Sequence, residues 1–321
     1  MMSSHNEPKS IGSSKLKVTV AIIFVLSVIS AIALSVINRL YIAENYLYIN
    51  GAPTAVLPIL AFVTVIVAIF GMLSVRKNDY SPKELPNAGN SLIYTVSLLL
   101  VAEFLAIFVL YVMYGAFDIG YGASIKNDAS LLEKLETATL FYQLMIILTP
   151  LAPVYFVIVA FKQKISSFFG SITLLWILAY ILRLYFDVTD WVMSPRKLSM
   201  ICAMCFAALF MLYEIRFSFG RGNVRRYFFI SSLTSVFCFS AGLAGVLSSL
   251  FGVFPSSFEI PYYGVAFALG VYAGARIYSL AYAKRTTETE DAEEAETEAE
   301  EDENEEETEE VSETTEGSEN I

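Results

Sequence analysis

Residues 18–38 read VTVAIIFVLSVISAIALSVIN and hold no charged side chain between Lys17 and Arg39. An α-helix needs about 20 mainly apolar residues to cross a hydrocarbon core about 30 Å thick. No small-residue cleavage site follows the stretch, so it differs from a removable signal peptide. It therefore predicts a membrane-spanning helix over about 18–40.

Seven further stretches satisfy the same length rule. They cover about 53–75, 91–115, 137–161, 167–187, 198–217, 227–251 and 260–283. In the fourth span, Pro150 and Pro153 predict a kink, because proline removes a backbone donor. Hydrophobic residues make up 56% of the chain and charged residues only 17%, against about 25% charged in soluble domains. The predicted fold class is all-α, a polytopic transmembrane bundle of about eight spans.

The charges divide the chain into three regions. Residues 286–321 hold 19 of the 32 acidic residues and none of the 21 basic ones, so the first 285 residues carry a net charge of +8. Such an acidic segment repels itself and lacks the apolar surface needed to fold. We expect a disordered acidic tail over 286–321, a disordered N-terminus over 1–16, and an eight-span membrane domain over 17–285. Docking to a basic partner and simple solvation of the tail both stay open.

The number of basic residues alternates between high and low from one loop to the next. With the N-terminus in the cytoplasm, inside segments hold 14 basic residues and outside segments hold 5. Cytoplasmic loops of membrane proteins are enriched in basic residues. The distribution predicts that both termini are cytoplasmic. We also expect the protein to lie in the plasma membrane.

Rare residues exclude several kinds of chemistry. The only histidine is His5, and the three cysteines are Cys202, Cys205 and Cys238. Because His5 lies in the polar N-terminal segment and the membrane domain has no histidine, Ser/His and Cys/His nucleophile pairs and histidine-based zinc or haem sites are excluded there. No phosphate-binding glycine motif is present. We expect no enzymatic activity, no metal, no cofactor and no nucleic-acid partner. Cys202 and Cys205 are interpreted as small apolar side chains on a buried helix.

Glu103 is the most deeply placed charge within a predicted span. It lies about twelve residues, or about 18 Å, from the inner end of its helix. An ionised side chain is costly at that depth, so Glu103 must be neutral, paired or in a wet cavity. It is therefore a candidate substrate or proton site, and a structural, hydrogen-bonded glutamate is the alternative.

Three other charges lie nearer the ends of spans. Glu214 and Arg276 have similar depths near the inner side and are a candidate intramembrane ion pair. Arg276 is also long enough to reach the headgroups. Arg183 precedes Asp187 by one turn, which predicts a surface pair at the outer end.

A cytoplasmic loop between the sixth and seventh spans contains four arginines. They are Arg216, Arg221, Arg225 and Arg226. Such a cluster predicts contacts with anionic lipid headgroups, although a topology signal is the simpler interpretation. The adjoining segment LYEIRFSFGRG, residues 212–222, resembles a stretch of uncharacterised bacterial polytopic membrane proteins. The resemblance implies a bacterial membrane and no particular activity.

Gly270 and Gly274 form a G-x-x-x-G motif in the eighth span. Small residues at this spacing let helix backbones approach closely in a bilayer. The motif predicts helix packing, preferentially within the chain, and leaves the oligomeric state open.

Two function classes remain. A non-catalytic membrane component (a scaffold, assembly or sensor subunit) is favoured by the absence of a catalytic constellation. The alternative is a transporter or permease for a small or lipid-like substrate, which would use Glu103. Expected partners are the lipid bilayer and other membrane proteins.

Overall fold

The computed structural model describes residues 14–42, 52–75, 90–118, 140–162, 165–186, 194–253 and 259–282. The expectations for the acidic tail and for residues 1–13 lie outside these ranges. Asp187 lies outside them as well.

Eight helices in the described residues are long and apolar enough to cross a membrane. We label them α1 (Ser14–Tyr41), α2 (Ala52–Ser74), α3 (Asn90–Asp118), α4 (Leu140–Phe161), α5 (Ser167–Phe186), α6 (Pro195–Ser218), α7 (Val224–Leu250) and α8 (Ile260–Tyr282). The predicted all-α fold class and the eight spans are confirmed. We call the end of the bundle at which α8 begins the predicted outer end, and the end at which α8 stops the predicted inner end.

Helix α4 is interrupted at its prolines. Residues 140–148 are helical, a turn follows over 149–151, and the helix resumes at Ala152. Helix α5 supplies hydrogen bonds at the break: Thr173 Oγ1 donates to the Ala152 carbonyl at 2.9 Å, and Trp176 Nε1 donates to Thr149 Oγ1 at 2.9 Å. A neighbouring helix thus satisfies polar groups that hydrocarbon could not.

Local sequence fixes where α6 and α7 begin. Ser194 caps α6 by accepting a hydrogen bond from the Lys197 amide at 3.3 Å, with Pro195 in the first helical position. Asn223 caps α7 by accepting from the Arg226 amide at 3.2 Å. Short polar side chains at the cap and proline just after it are the preferred residues at helix starts.

Helix α8 is the most deeply buried of the eight described helices and packs most extensively on α7. A side chain at Gly242 of α7 would overlap the backbone of Phe267, and one at Gly270 of α8 would overlap the backbone of Phe239. Gly274 instead accommodates the Phe24 ring of α1. The G-x-x-x-G motif therefore packs against helices of the same chain.

The interpretation of Cys202 and Cys205 as buried side chains is wrong. Both lie on the exposed face of α6, whereas Cys238 of α7 is buried. In a bilayer, lipid-facing and core-facing positions are both apolar, so hydrophobicity does not distinguish the two faces.

Candidate functional site

Glu103 lies where α3 crosses α8. Its carboxylate occupies the space above Gly264, where any side chain would overlap it. Gly264 is four residues from the start of α8, or about 6 Å along that helix. This contact places Glu103 beside the outer part of α8, although the count along α3 alone placed it near the middle of a span.

The Glu103 side chain is partly exposed at the surface of the bundle. On the same side of α3, Leu99 and Ala106 are exposed too. The structure gives the Glu103 carboxylate no hydrogen bond or ion pair with any residue in the described ranges. Glu103 therefore differs from the charges inside the bundle, which have partners.

Glu214 and Arg276 meet near the predicted inner end, where their contact joins α6 to α8. Arg276 Nη2 lies 2.9 Å from Glu214 Oε1. The Tyr272 hydroxyl donates to the same carboxylate oxygen at 2.9 Å and accepts from Arg276 Nη2 at 2.9 Å. All three side chains are buried. Arg276 therefore does not extend to the headgroups, because its charge is neutralised inside the bundle.

A second charged cluster lies near the predicted outer end. Glu259 Oε1, just before α8, lies 3.2 Å from Arg196 Nη2 of α6 and 3.7 Å from Arg183 Nη2 of α5. The Tyr263 hydroxyl donates to Glu259 Oε2 at 3.3 Å. Among the described residues, these contacts join two arginines to one carboxylate, and both arginines are buried.

Tyrosine rings surround the Arg183 guanidinium. Its central carbon lies 4.1 Å from the centroid of the Tyr142 ring and 4.9 Å from that of Tyr262. The electron-rich faces of aromatic rings attract cations, most strongly where water is excluded. Arg183 is therefore a buried cation held by rings and Glu259, and the prediction of a surface position for it is wrong.

A column of aromatic rings connects the two clusters. Neighbouring ring centroids are 4.7 to 6.4 Å apart. The members are Tyr262, Tyr180, Trp176, Phe104, Phe156 and Tyr272. All six side chains are buried. Among the described residues, rings therefore fill the space between the two clusters.

Four exposed arginines lie around the α6–α7 connection at the predicted inner end. They are Arg216 near the end of α6, Arg221 in the loop, and Arg225 and Arg226 in the first turn of α7. Arg225 Nε donates to the carbonyl of Val75, just after α2, at 2.8 Å. The Arg216 guanidinium lies over the Tyr213 ring at 5.5 Å. Arg225 thus satisfies a carbonyl at the end of α2, and the exposure of the other three leaves them accessible to anionic headgroups.

No family model, curated protein or solved structure matches this chain. Within the described ranges, no group of three or more His, Cys, Asp or Glu side chains is placed to hold a metal ion. The placement of charged side chains in the bundle is therefore the best indication of function.

Two members of the outer cluster, Glu259 and Arg196, have roles that the sequence pattern does not predict. The pattern places both in outer loops, where Arg196 counts only as a topology charge. Arg183 is the sequence feature that could have indicated these roles. It is a basic residue inside a span, and such a residue needs a carboxylate nearby. Glu259 is the last acidic residue before the final span, and its position at the start of α8 is a usable indication.

Proposed function

We propose that this multi-pass membrane protein is a non-catalytic component that assembles with another integral membrane protein. The contact would be the surface of α3 at the α3–α8 seam, defined by Leu99, Glu103 and Ala106. The single observation that supports this proposal is the position of Glu103. It is a partly exposed carboxylate at membrane depth to which the described residues give no partner.

The free-energy cost of an unpaired charge at Glu103 supports the proposed contact with a partner helix. An ionised side chain within the hydrocarbon region is costly unless it is paired. Arg183, Arg196, Glu214, Glu259 and Arg276 offset this cost by pairing inside the bundle. A hydrogen-bond donor or cation on a partner helix would do the same for Glu103.

The shape of the α3 surface at the seam also supports contact with a partner helix. Ala106 has only a methyl group and is exposed, so a second helix could approach α3 closely there. The α3 surface on either side of Glu103 is apolar, as a helix-binding surface in a bilayer must be. A partner helix with one polar residue among small ones would be complementary to it.

Photocrosslinking in native membranes tests the assembly proposal. A photoreactive residue at Leu99, one turn from Glu103, should crosslink to a discrete integral membrane protein. Leu105 is the matched control, because it is exposed but lies about 200° around the helix from Glu103. Glu103→Leu should abolish the crosslink at Leu99, because the polar contact is lost.

The glutamine variant identifies the partner's chemistry. Glu103→Gln should retain the crosslink if the carboxyl is neutral and hydrogen-bonded, and should lose it if the partner supplies a cation. Equal crosslinking from Leu99 and Leu105, or a crosslink that persists in Glu103→Leu, would contradict the proposal.

A transporter using Glu103 is the second candidate, favoured by the broken helix α4, which packs on α3. Interrupted helices accompany many transport sites. In this case Glu103→Gln should abolish proton or substrate uptake into proteoliposomes while thermal stability stays unchanged, because glutamine keeps the shape and cannot ionise. Full activity of the glutamine variant would exclude Glu103 as the transport site.

For placement, we propose the plasma membrane with both termini in the cytoplasm. The uneven distribution of basic residues, 14 against 5, supports this orientation. The exposed arginines at the turn between α6 and α7 would then face the anionic inner leaflet.

A further inference from the structure

Helix α6 carries an exposed stripe from one end to the other. Its members are spaced alternately by four and three residues, so they lie along one side of the helix. They are Leu198, Cys202, Cys205, Leu209 and Leu212, followed by Arg216 and then Phe219. From Leu198 to Arg216 the helix rises about 27 Å, and a hydrocarbon core is about 30 Å thick. An acyl chain that lies along the stripe therefore brings its phosphate to the level of Arg216.

The turn after α6 holds a second arginine beside Arg216. The Arg221 amide donates to the Arg216 carbonyl at 3.1 Å, and Gly220 has a φ of 66°. Glycine adopts such a positive φ without strain, which lets the chain reverse directly at a helix end. A side chain at Gly222 would overlap the buried Phe217 ring, so the turn packs closely on α6. These contacts hold the backbones of the two arginines together before any ligand binds.

Neither arginine has a carboxylate partner in the described part of the chain. Both are exposed, and the structure gives neither of them an ion pair with a described residue. The sequence has no Asp or Glu between Glu214, which pairs with Arg276, and Glu259. Arg225 differs, because its Nε donates to the Val75 carbonyl. The guanidinium groups at the end of α6 and in the turn are therefore accessible to an anion.

From the stripe and the arginine pair together, we propose that the predicted inner end of α6 binds an anionic phospholipid selectively. Arg216 and Arg221 hold its phosphate, and an acyl chain lies along Leu212 and Leu209. Guanidinium groups donate paired hydrogen bonds to phosphate oxygens. A zwitterionic headgroup would place its own cation next to two arginines, so an anionic headgroup is preferred.

Phe219 identifies the ligand as a lipid, in contrast to free phosphate or an acidic protein segment. Its side chain is 65% exposed and lies between the two arginines in the sequence. Exposed apolar rings next to basic side chains are typical of surfaces that lie in a membrane interface. The ring and the stripe both offer contacts to acyl chains, which the other two ligands lack. The site is separate from the α3 surface around Glu103, so it does not rest on the proposed assembly.

Quenching by brominated lipids tests the selectivity. The full-length Leu212→Trp protein is placed in nanodiscs of phosphatidylglycerol and phosphatidylcholine, with bromine on the acyl chains of one lipid or of the other. Bromine quenches an indole that it contacts. The matched control reporter is Leu198→Trp, on the same stripe at the opposite end of α6. The protein without either reporter gives the background of Trp176 and Trp191. Both leaflets have the same composition, so the result does not depend on the proposed orientation.

Phosphatidylglycerol should bind beside Leu212→Trp about fivefold more strongly than phosphatidylcholine, the effect expected of one basic side chain near a membrane surface. Leu198→Trp should show no preference. Arg216→Gln and Arg221→Gln should each reduce the preference at Leu212→Trp without lowering thermal stability, because both side chains are exposed. Lys17→Gln should leave the preference unchanged. It removes a charge at the same end of the bundle, since Lys17 lies over the ring of the last residue of α8.

Four results would overturn the proposal. One is equal binding of the two lipids beside Leu212→Trp. Another is an equal preference at Leu198→Trp, and a third is an equal loss in Lys17→Gln, because a general surface potential would produce both. The last is displacement of phosphatidylglycerol by sodium phosphate but not by sodium chloride at the same ionic strength, which would identify free phosphate as the ligand.

Discussion

Glu214→Ala is expected to lower the free energy of unfolding by about 3–5 kcal/mol, the usual cost of breaking a buried ion pair. The substitution leaves the Arg276 charge inside the bundle, beside the Tyr272 hydroxyl but without the Glu214 carboxylate. Unfolding in mixed micelles, followed by circular dichroism, measures the loss. Arg216→Ala provides a control, because Arg216 is exposed near the same end of the bundle.

A double-mutant cycle isolates the pair. Glu214→Ala and Arg276→Ala together should cost clearly less than the sum of the single variants, because the double variant removes both charges. Glu214→Gln should be intermediate, since an amide oxygen still accepts from Arg276 and Tyr272 but carries no charge. Strict additivity would show that the 2.9 Å contact contributes nothing specific.

Glu259→Ala should be at least as damaging, because it leaves two buried arginines without their shared carboxylate. Arg183 and Arg196 both contact Glu259 Oε1, so their guanidinium groups are close enough to repel each other. We expect a loss of about 3–5 kcal/mol, seen as a reduced yield of folded protein in size-exclusion chromatography.

Removing one of the two cations should partly restore the Glu259→Ala variant. Arg196→Met in that background eliminates the repulsion and keeps most of the apolar stem. Arg39→Ala, an exposed residue near the same end, should neither harm nor rescue. If Arg196→Met deepens the defect, Glu259 acts through something other than charge balance.

The helices of this bundle could be predicted because a single physical rule governs them. Apolar length decides whether a segment crosses a bilayer, and the ends of α5 and α8 lie within one residue of those inferred from the sequence. The break in α4 was predictable for a similar reason, since proline alters its own backbone locally.

The polar contacts were harder to predict, because they depend on which helices become neighbours. Glu214 and Arg276 could be matched by depth, but Arg183 has a local candidate at Asp187 that competes with Glu259, 76 residues further along the chain. Hydropathy also does not distinguish side chains that face lipid from side chains that face protein. The sequence therefore does not reveal the exposure of Cys202. Tertiary neighbours, rather than residue type, decide these positions.

The central position of α8 has a consequence for how the chain is made. Helix α8 is the last of the eight to leave the ribosome, yet Arg276 and Glu259, which pair with three earlier charges, lie in it or directly before it. Before α8 is inserted, Arg183, Arg196 and Glu214 are already in the membrane without these counterions. During biosynthesis, α1–α7 must therefore remain incompletely packed. The bundle is complete only when α8 inserts between α3 and α7.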